Sequence, residues 1–149
     1  MSAPPRSLKK PDFSGEWTLN RQASTLSPLV ATGVQSGALR IEHREPTVTV
    51  HLSIMIDGKP FEARFERVSD GREVIETYDE GRSVGSLRWD GEALLFTDRS
   101  QGANGGVTIS FRYELEEGGR RLRAMEQLRG GNRDQDNLWV FERVVSATS

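Results

Sequence analysis

The sequence contains no cysteine among its 149 residues, and it has only two histidines. Without cysteine there is no disulfide framework, no thiolate nucleophile and no sulfur ligand for a metal ion. The two histidines, His43 and His51, lack the short His-x-His or His-Glu-x-x-His spacing of zinc and iron sites. We therefore expect neither a metal nor another cofactor, and stability has to come from packing and hydrogen bonds.

The chain also lacks a strong charge of one sign and a long apolar run. Its net charge of −2 offers no attraction to phosphate backbones or anionic lipid, so we expect neither nucleic acid nor a membrane as partner. Residues 1–10 lack the apolar core of a signal peptide, which predicts a cytoplasmic protein. Neither histidine has an evident serine and aspartate around it, which argues against a serine hydrolase.

What the sequence does contain is a series of turn-forming pairs, each ending in glycine. They are Asp57-Gly58, Asp70-Gly71, Glu80-Gly81, Asp90-Gly91, Gly105-Gly106, Gly118-Gly119 and Gly130-Gly131. Glycine accepts the positive φ angles of tight hairpins, and the segments between these pairs alternate apolar and polar residues. The pattern predicts an all-β protein, an up-and-down antiparallel β-barrel of about ten strands that avoids exposed edges by closing on itself.

The segment Asn20–Ala38 interrupts the alternation. Four apolar residues in it recur with helical spacing: Leu26, Leu29, Val30 and Val34. Pro28 and Gly33 limit the helix to a couple of turns, so we predict a short helical lid after the first strand. The expected organisation is a flexible arm over 1–12, one barrel domain over 13–145 and a tail over 146–149.

Three short motifs resemble the calycin superfamily, and in particular the fatty-acid-binding proteins. They are Phe13-x-Gly15-x-Trp17-x-Leu19, Arg88-Trp89-Asp90-Gly91-Glu92 and the ending Val140-Phe141-Glu142-Arg143-Val144. The same landmarks are similar to small bacterial lipocalin-like proteins. The resemblance implies a barrel that Trp17 plugs at its closed end and whose cavity holds a small hydrophobic or aromatic ligand.

One departure from the resemblance concerns the ligand. Fatty-acid-binding proteins hold a carboxylate with an arginine and a tyrosine on the last strand, and the matching positions here are Trp139 and Phe141. The second arginine of that site would fall at Asp98. The resemblance therefore implies a neutral, aromatic or cationic ligand in place of a fatty acid.

Strand parity selects the residues that would face such a cavity. The predicted ligand-binding residues are Tyr78, Arg88, Phe96, Phe111, Tyr113, Trp139 and Phe141. Aromatic walls with a few polar groups are typical of small-molecule sites. Nothing in the sequence indicates an oligomeric state.

Two alternatives remain open. A cofactor-free isomerase, cyclase or lyase would use Asp98 or Glu126 as general base and His43, Tyr78 or Tyr113 as hydrogen-bond donor to a developing oxyanion. A barrel filled by its own side chains would instead serve only as an interaction surface. Its sign would be a meeting of four rings at the centre, namely those of Phe65, Phe96, Phe111 and Trp139.

Overall fold

The computed structural model describes residues 10–78, 81–102, 105–130 and 134–145. They form ten antiparallel strands in one sheet, together with one short helix. The strands are β1 (Gly15–Leu19), β2 (Val34–Arg44), β3 (Thr47–Ile56), β4 (Lys59–Val68), β5 (Val74–Tyr78), β6 (Gly81–Asp90), β7 (Ala93–Gly102), β8 (Gly105–Glu116), β9 (Arg121–Gly130) and β10 (Gln135–Arg143). The predicted ten-stranded all-β fold is confirmed.

In the curled sheet β1 pairs with both β2 and β10, so the first and the last strand are neighbours. Trp17 lies opposite Leu39 on one side and opposite Arg143 on the other. The strand order is therefore β4-β3-β2-β1-β10-β9-β8-β7-β6-β5. All neighbouring strands except β1 and β10 are consecutive in sequence. This order leaves β4 and β5 as the two edges of the sheet.

Side chains close the seam between these edges. The guanidinium Nη2 of Arg67 on β4 lies 3.0 Å from Oδ1 of Asp98 on β7 and 3.8 Å from Oε1 of Glu76 on β5. The rings of Phe65 and Phe96 meet edge to face, with centroids 5.8 Å apart. Gly85 leaves the space for the ion pair, since a Cβ there would overlap both the Arg67 and the Asp98 head groups.

Trp17 and Phe13 fill the end of the barrel where β1 begins. Both side chains are fully buried, and Trp17 Nε1 donates a hydrogen bond to the Phe13 carbonyl at 3.1 Å. The Arg143 guanidinium lies over the Trp17 ring, 4.3 Å from its centroid, and donates to the Gly119 carbonyl. A cation over an indole face is attracted by the ring quadrupole, so this contact joins the first and last strands through side chains.

The helix α1 (Pro28–Gly33) lies at the opposite end. Proline suits its first turn, where a backbone N–H has no partner within the helix. The helix is shorter than the predicted lid segment because β2 already begins at Val34, with a bulge between Val34 and Ser36 that brings this part of the chain into register with β3. The prediction of a non-strand segment as far as Ala38 was therefore wrong.

Within the described residues, no helix is long and apolar enough to cross a bilayer. The predicted tail over 146–149 and the predicted arm before Lys10 lie outside the described residues.

Trp17→Ala should lower the free energy of unfolding by about 3–5 kcal/mol, because it leaves a cavity under the barrel plug and removes the ring beneath Arg143. Urea unfolding followed by far-ultraviolet circular dichroism measures this loss. Ile75→Ala is the control, since Ile75 is 60% exposed and should change stability by about 0.5 kcal/mol or less. Equal effects of the two substitutions would contradict the plug.

Gly85→Ala should force the Arg67 and Asp98 head groups apart and open the seam. We expect a loss of about 1–2 kcal/mol, between the values typical of exposed ion pairs and of hydrogen bonds to charged groups. Gly106→Ala is the matched control, because a Cβ at Gly106 meets only a carbonyl oxygen at 3.6 Å. A Gly85→Ala protein as stable as the Gly106→Ala protein would show that the seam does not depend on this pair.

Candidate functional site

A cavity of about 360 Å³ lies under α1, between the ends of β3 and β4 on one side and of β9 and β10 on the other. Its apolar wall consists of Val30, Val34, Ile54, Ile56, Phe61, Leu128 and Trp139. Its polar lining consists of Asp57, Glu126, Gln135 and Asn137. An apolar wall with a few convergent polar groups is the usual construction of a small-molecule site.

The cavity lies here because β1 is too short to fill this part of the barrel. β1 ends at Leu19, opposite Phe141, so the first residues of β10 have no strand partner on that side. The chain after β1 covers them instead, with hydrogen bonds from Asn20 N to Val140 O at 2.7 Å and between Thr25 and Leu138 in both directions. A loop over a strand edge leaves space that a paired strand would occupy.

Glu126 is the central polar group of the cavity. Its Oε1 accepts hydrogen bonds from Trp139 Nε1 at 2.9 Å and from Asn137 Nδ2 at 3.1 Å. The register of β9 and β10 produces this geometry, because Glu126 lies opposite Asn137 and Trp139 lies opposite the small Ala124. Two N–H donors therefore hold the carboxylate in a fixed orientation.

Asn137 also connects the cavity to the helix. It is 2% exposed, and its Oδ1 accepts a hydrogen bond from the backbone N–H of Ser27, the residue before α1, at 2.7 Å. Ser27 Oγ donates to Gln135 Oε1 at 2.7 Å. These bonds couple the start of α1 to β10 and, through Asn137, to Glu126.

Packed aromatic rings lie below the cavity. Phe96 and Tyr113 have centroids 4.9 Å apart, Phe65 and Phe96 5.8 Å, and Phe111 and Tyr113 6.2 Å. Burial raises the pKa of the Tyr113 hydroxyl, and the negative charge of Glu126 raises it further. Three of the four rings named by the filled-barrel hypothesis therefore meet through Tyr113, but the space under α1 stays open.

The structure distributes the predicted ligand-binding residues unevenly. Trp139 lines the cavity, while Phe96, Tyr113 and Phe141 are buried in the core, against which Phe111 packs. Tyr78 is the last residue of β5, and its side chain lies outside the described part of the chain. A role in binding stays a prediction for each of these residues.

Arg88 lies exposed on the outer face of β6, and the prediction that it faces inward was wrong. The buried residues of β6 are Gly85 and Leu87, so the inner face is shifted by one residue from the one chosen in sequence analysis. A shift of one residue moves every side chain of a strand to the other face.

The groups predicted for catalysis are spread over the barrel. Asp98 pairs with Arg67 at the seam, with 37% of its side chain exposed. His43 lies at the closed end, where its Nδ1 accepts from the Phe13 N–H at 3.2 Å and its Nε2 lies 2.8 Å from Glu45 Oε1. Glu126 alone of these three lines the cavity, so the structure does not bring Asp98 and His43 to it, whereas Tyr113 lies near enough to Glu126 to feel its charge.

A larger surface groove, of about 890 Å³, lies outside the closed end. Its lining is mostly charged, and its arginines are already engaged: Arg112 pairs with Asp90 and with Glu114, and Arg143 donates to backbone carbonyls. We therefore assign the candidate site to the smaller, more apolar cavity under α1.

Sequence reasoning missed Asn137, Gln135 and Ser27. The signal for Asn137 was its parity, since it lies two residues before Trp139 and four before Phe141 on the same strand face. A polar residue that continues a buried apolar face has to find a hydrogen-bond partner inside.

The sequence matches no family profile, and no curated protein sequence matches it. Solved structures do share its architecture. A secretory abundant heat soluble protein of Ramazzottius varieornatus gives a TM-score of 0.61 at 11% identity, over 88% of this chain and 94% of that one.

Two further structures hold ligands. The Schistosoma mansoni fatty acid binding protein in complex with arachidonic acid gives a TM-score of 0.57 at 14% identity, over 89% and 96% of the two chains. The zebrafish ileal bile acid-binding protein complexed with cholic acid gives 0.56 at 12% identity, over 89% and 98%. At these identities the similarity is one of fold, and the predicted barrel fold, similar to that of fatty-acid-binding proteins, is confirmed.

The raised pKa of Tyr113 predicts a loss of stability in alkali. The unfolded chain releases the tyrosine proton at a pH of about 10, before the folded protein does, so the contribution of the neutral hydroxyl is complete below that pH and declines above it. We expect the difference in unfolding free energy between the wild type and Tyr113→Phe to be constant up to pH about 9 and to shift against the wild type above pH about 10. Urea unfolding across this range measures it, and a pH-independent difference would contradict the assignment.

Proposed function

We propose that this protein binds a small hydrophobic molecule in the cavity under α1. The observation that carries the proposal is the cavity itself, about 360 Å³ lined by seven apolar side chains and four polar ones. Ligand pockets in proteins have volumes of about 300–1,000 Å³ and a predominantly apolar lining. The size of this cavity, near the lower limit, favours a compact ligand.

The neighbouring structures support the apolar character of the ligand. Arachidonic acid and cholic acid occupy proteins of the same fold in two of them. Both are largely hydrocarbon molecules with a polar group, and the cavity offers the same combination of an apolar wall and one buried polar cluster. Trp139 combines the two, since its ring lines the wall and its Nε1 donates to Glu126.

In this proposal α1 acts as the lid of the cavity. Val30 and Gly33 of α1 line the cavity, and the Asp57 N–H of the β3–β4 turn donates to the Gly33 carbonyl at 2.9 Å. The helix has only six residues, and hydrogen bonds attach it to the barrel at both ends. Elements with few buried apolar contacts open at low free-energy cost, so displacement of α1 would give a ligand access.

Ile54→Glu should weaken binding of an apolar probe at least about tenfold, because it places a charge in the apolar wall. The measurement is fluorescence titration with N-phenyl-1-naphthylamine, an uncharged aromatic probe. Saturable binding with one site per chain is expected for the wild type.

Ser53→Glu is the matched control, since Ser53 precedes Ile54 on β3 and lies on the exposed, outer face of that strand. It adds the same charge and should leave probe affinity within about twofold. Equal effects of the two substitutions would place the probe outside the cavity, and no saturable binding by the wild type would contradict the proposed function.

A further inference from the structure

We infer that the ligand carries a cationic amine that pairs with Glu126, so that the protein selects lipophilic amines over acids and alcohols of the same size. This inference rests on the proposed function, and it names the ligand class of the same cavity. Four observations support it: the geometry of the carboxylate, the charge of the lining, the rings beside the carboxylate and the shape of the apolar wall.

The Glu126 carboxylate is only partly engaged. Trp139 Nε1 and Asn137 Nδ2 both donate to Oε1. No hydrogen bond from another described residue reaches Oε2, although an ionised carboxylate has about four acceptor positions. The side chain is thus oriented by the protein on one oxygen and has acceptor capacity left on the other.

The cavity has a negative charge without a basic partner. Asp57 at the mouth and Glu126 inside are the ionisable groups among the described lining residues, and no lysine, arginine or histidine joins them there. None of the ion pairs formed by described residues includes Glu126, whereas nearby charges such as Arg123 and Arg129 pair with other carboxylates. A charge in a mostly apolar cavity is stabilised by an opposite charge, and here the ligand can supply it.

Aromatic groups flank the carboxylate on both neighbouring strands. Phe111 lies directly opposite Glu126 in the β8–β9 register, and the Trp139 indole contacts its Oε1. Directly opposed residues on one face of an antiparallel pair have Cβ atoms about 5 Å apart. The indole meets the carboxylate with its N–H edge, whereas Phe111 adds an aromatic ring beside the head-group position, and aromatic faces attract cations.

The apolar wall accommodates the rest of such a ligand. Ile54, Ile56 and Val34 line the cavity across from β9, toward α1. A molecule with its ammonium group at Glu126 would place its hydrocarbon against these side chains. A ligand carboxylate in that position would instead meet Glu126 as a like charge, and an alcohol would bind without the ionic contribution.

The test compares three ligands that differ only in the head group: octylamine, octanol and octanoate, each displacing N-phenyl-1-naphthylamine from the wild-type protein at neutral pH. We expect octylamine to bind at least about tenfold more tightly than octanol, and octanoate to bind more weakly than octanol. Glu126→Gln keeps the Oε1 acceptor for Trp139 and removes the charge. It should weaken octylamine about tenfold and leave octanol within about twofold.

Glu92→Gln is the control for net charge, because Glu92 lies in the groove at the closed end, and it should not change the order of the three ligands. If octanol binds as tightly as octylamine, or if Glu126→Gln leaves octylamine unaffected, the amine class is wrong while apolar binding stands. If none of the three displaces a probe that binds, the amine class is likewise wrong, and if the probe does not bind at all, the proposed function is wrong as well. The comparison of ligands on the wild-type chain does not depend on how well Glu126→Gln folds.

Discussion

The length of β1 is the constraint on which the rest of this barrel depends. Five residues are enough to pair with β2 and β10 and to bring Trp17 under the Arg143 guanidinium, which closes one end. They are too few to reach the other end. β10 begins at Gln135, six residues before Phe141, which is the first of its residues to pair with β1, and an isolated bridge joins Thr25 to Leu138 in between. The loop and the short helix that take over cover the strand ends without filling the space between them. The plug and the cavity are therefore two results of the same short strand.

The barrel closes differently on its other side. Between β4 and the strands β6 and β7, side chains replace a regular ladder: an ion pair from Arg67 to Asp98 and an edge-to-face contact of Phe65 with Phe96. Side-chain closure of this kind depends on a residue that has no side chain. Gly85 leaves the space that the head groups of Arg67 and Asp98 occupy. The ion pair at the seam also explains why sequence parity predicted Asp98 as a site residue. The residue does lie on an inner strand face, and its partner is a structural arginine.

Much of the fold could be predicted from the sequence because its signals are local. Glycine pairs mark most of the hairpins, although Asp70-Gly71 separates β4 and β5, which do not pair with each other. Alternation assigns the inner faces of β3, β8 and β9 correctly. β6 failed because its apolar residues have both parities, Val84 on one and Leu87 on the other, and Gly85 carries no hydropathy signal although it is buried. The cavity was harder to predict, because it depends on which residues the register places opposite one another. Nothing near Glu126 in the sequence indicates that Asn137 is its neighbour.

The register of β9 and β10 also determines the chemistry of the cavity, whereas the fold determines only its position and shape. The fold provides a partly open cavity, whereas the pairing of β9 with β10 places a carboxylate in it and orients that carboxylate with an indole N–H and an amide N–H. N–H donors stabilise the negative form of an acid, and an apolar wall with low polarizability strengthens the field of that charge on whatever enters. At an effective dielectric constant of about 20, two unit charges about 4 Å apart interact by about 4 kcal/mol, attractive for a cation and repulsive for an anion. Proteins of one barrel fold can in this way take ligands of opposite charge, because the sign is decided by a few side chains at one level of the barrel while the strands, turns and plug stay the same.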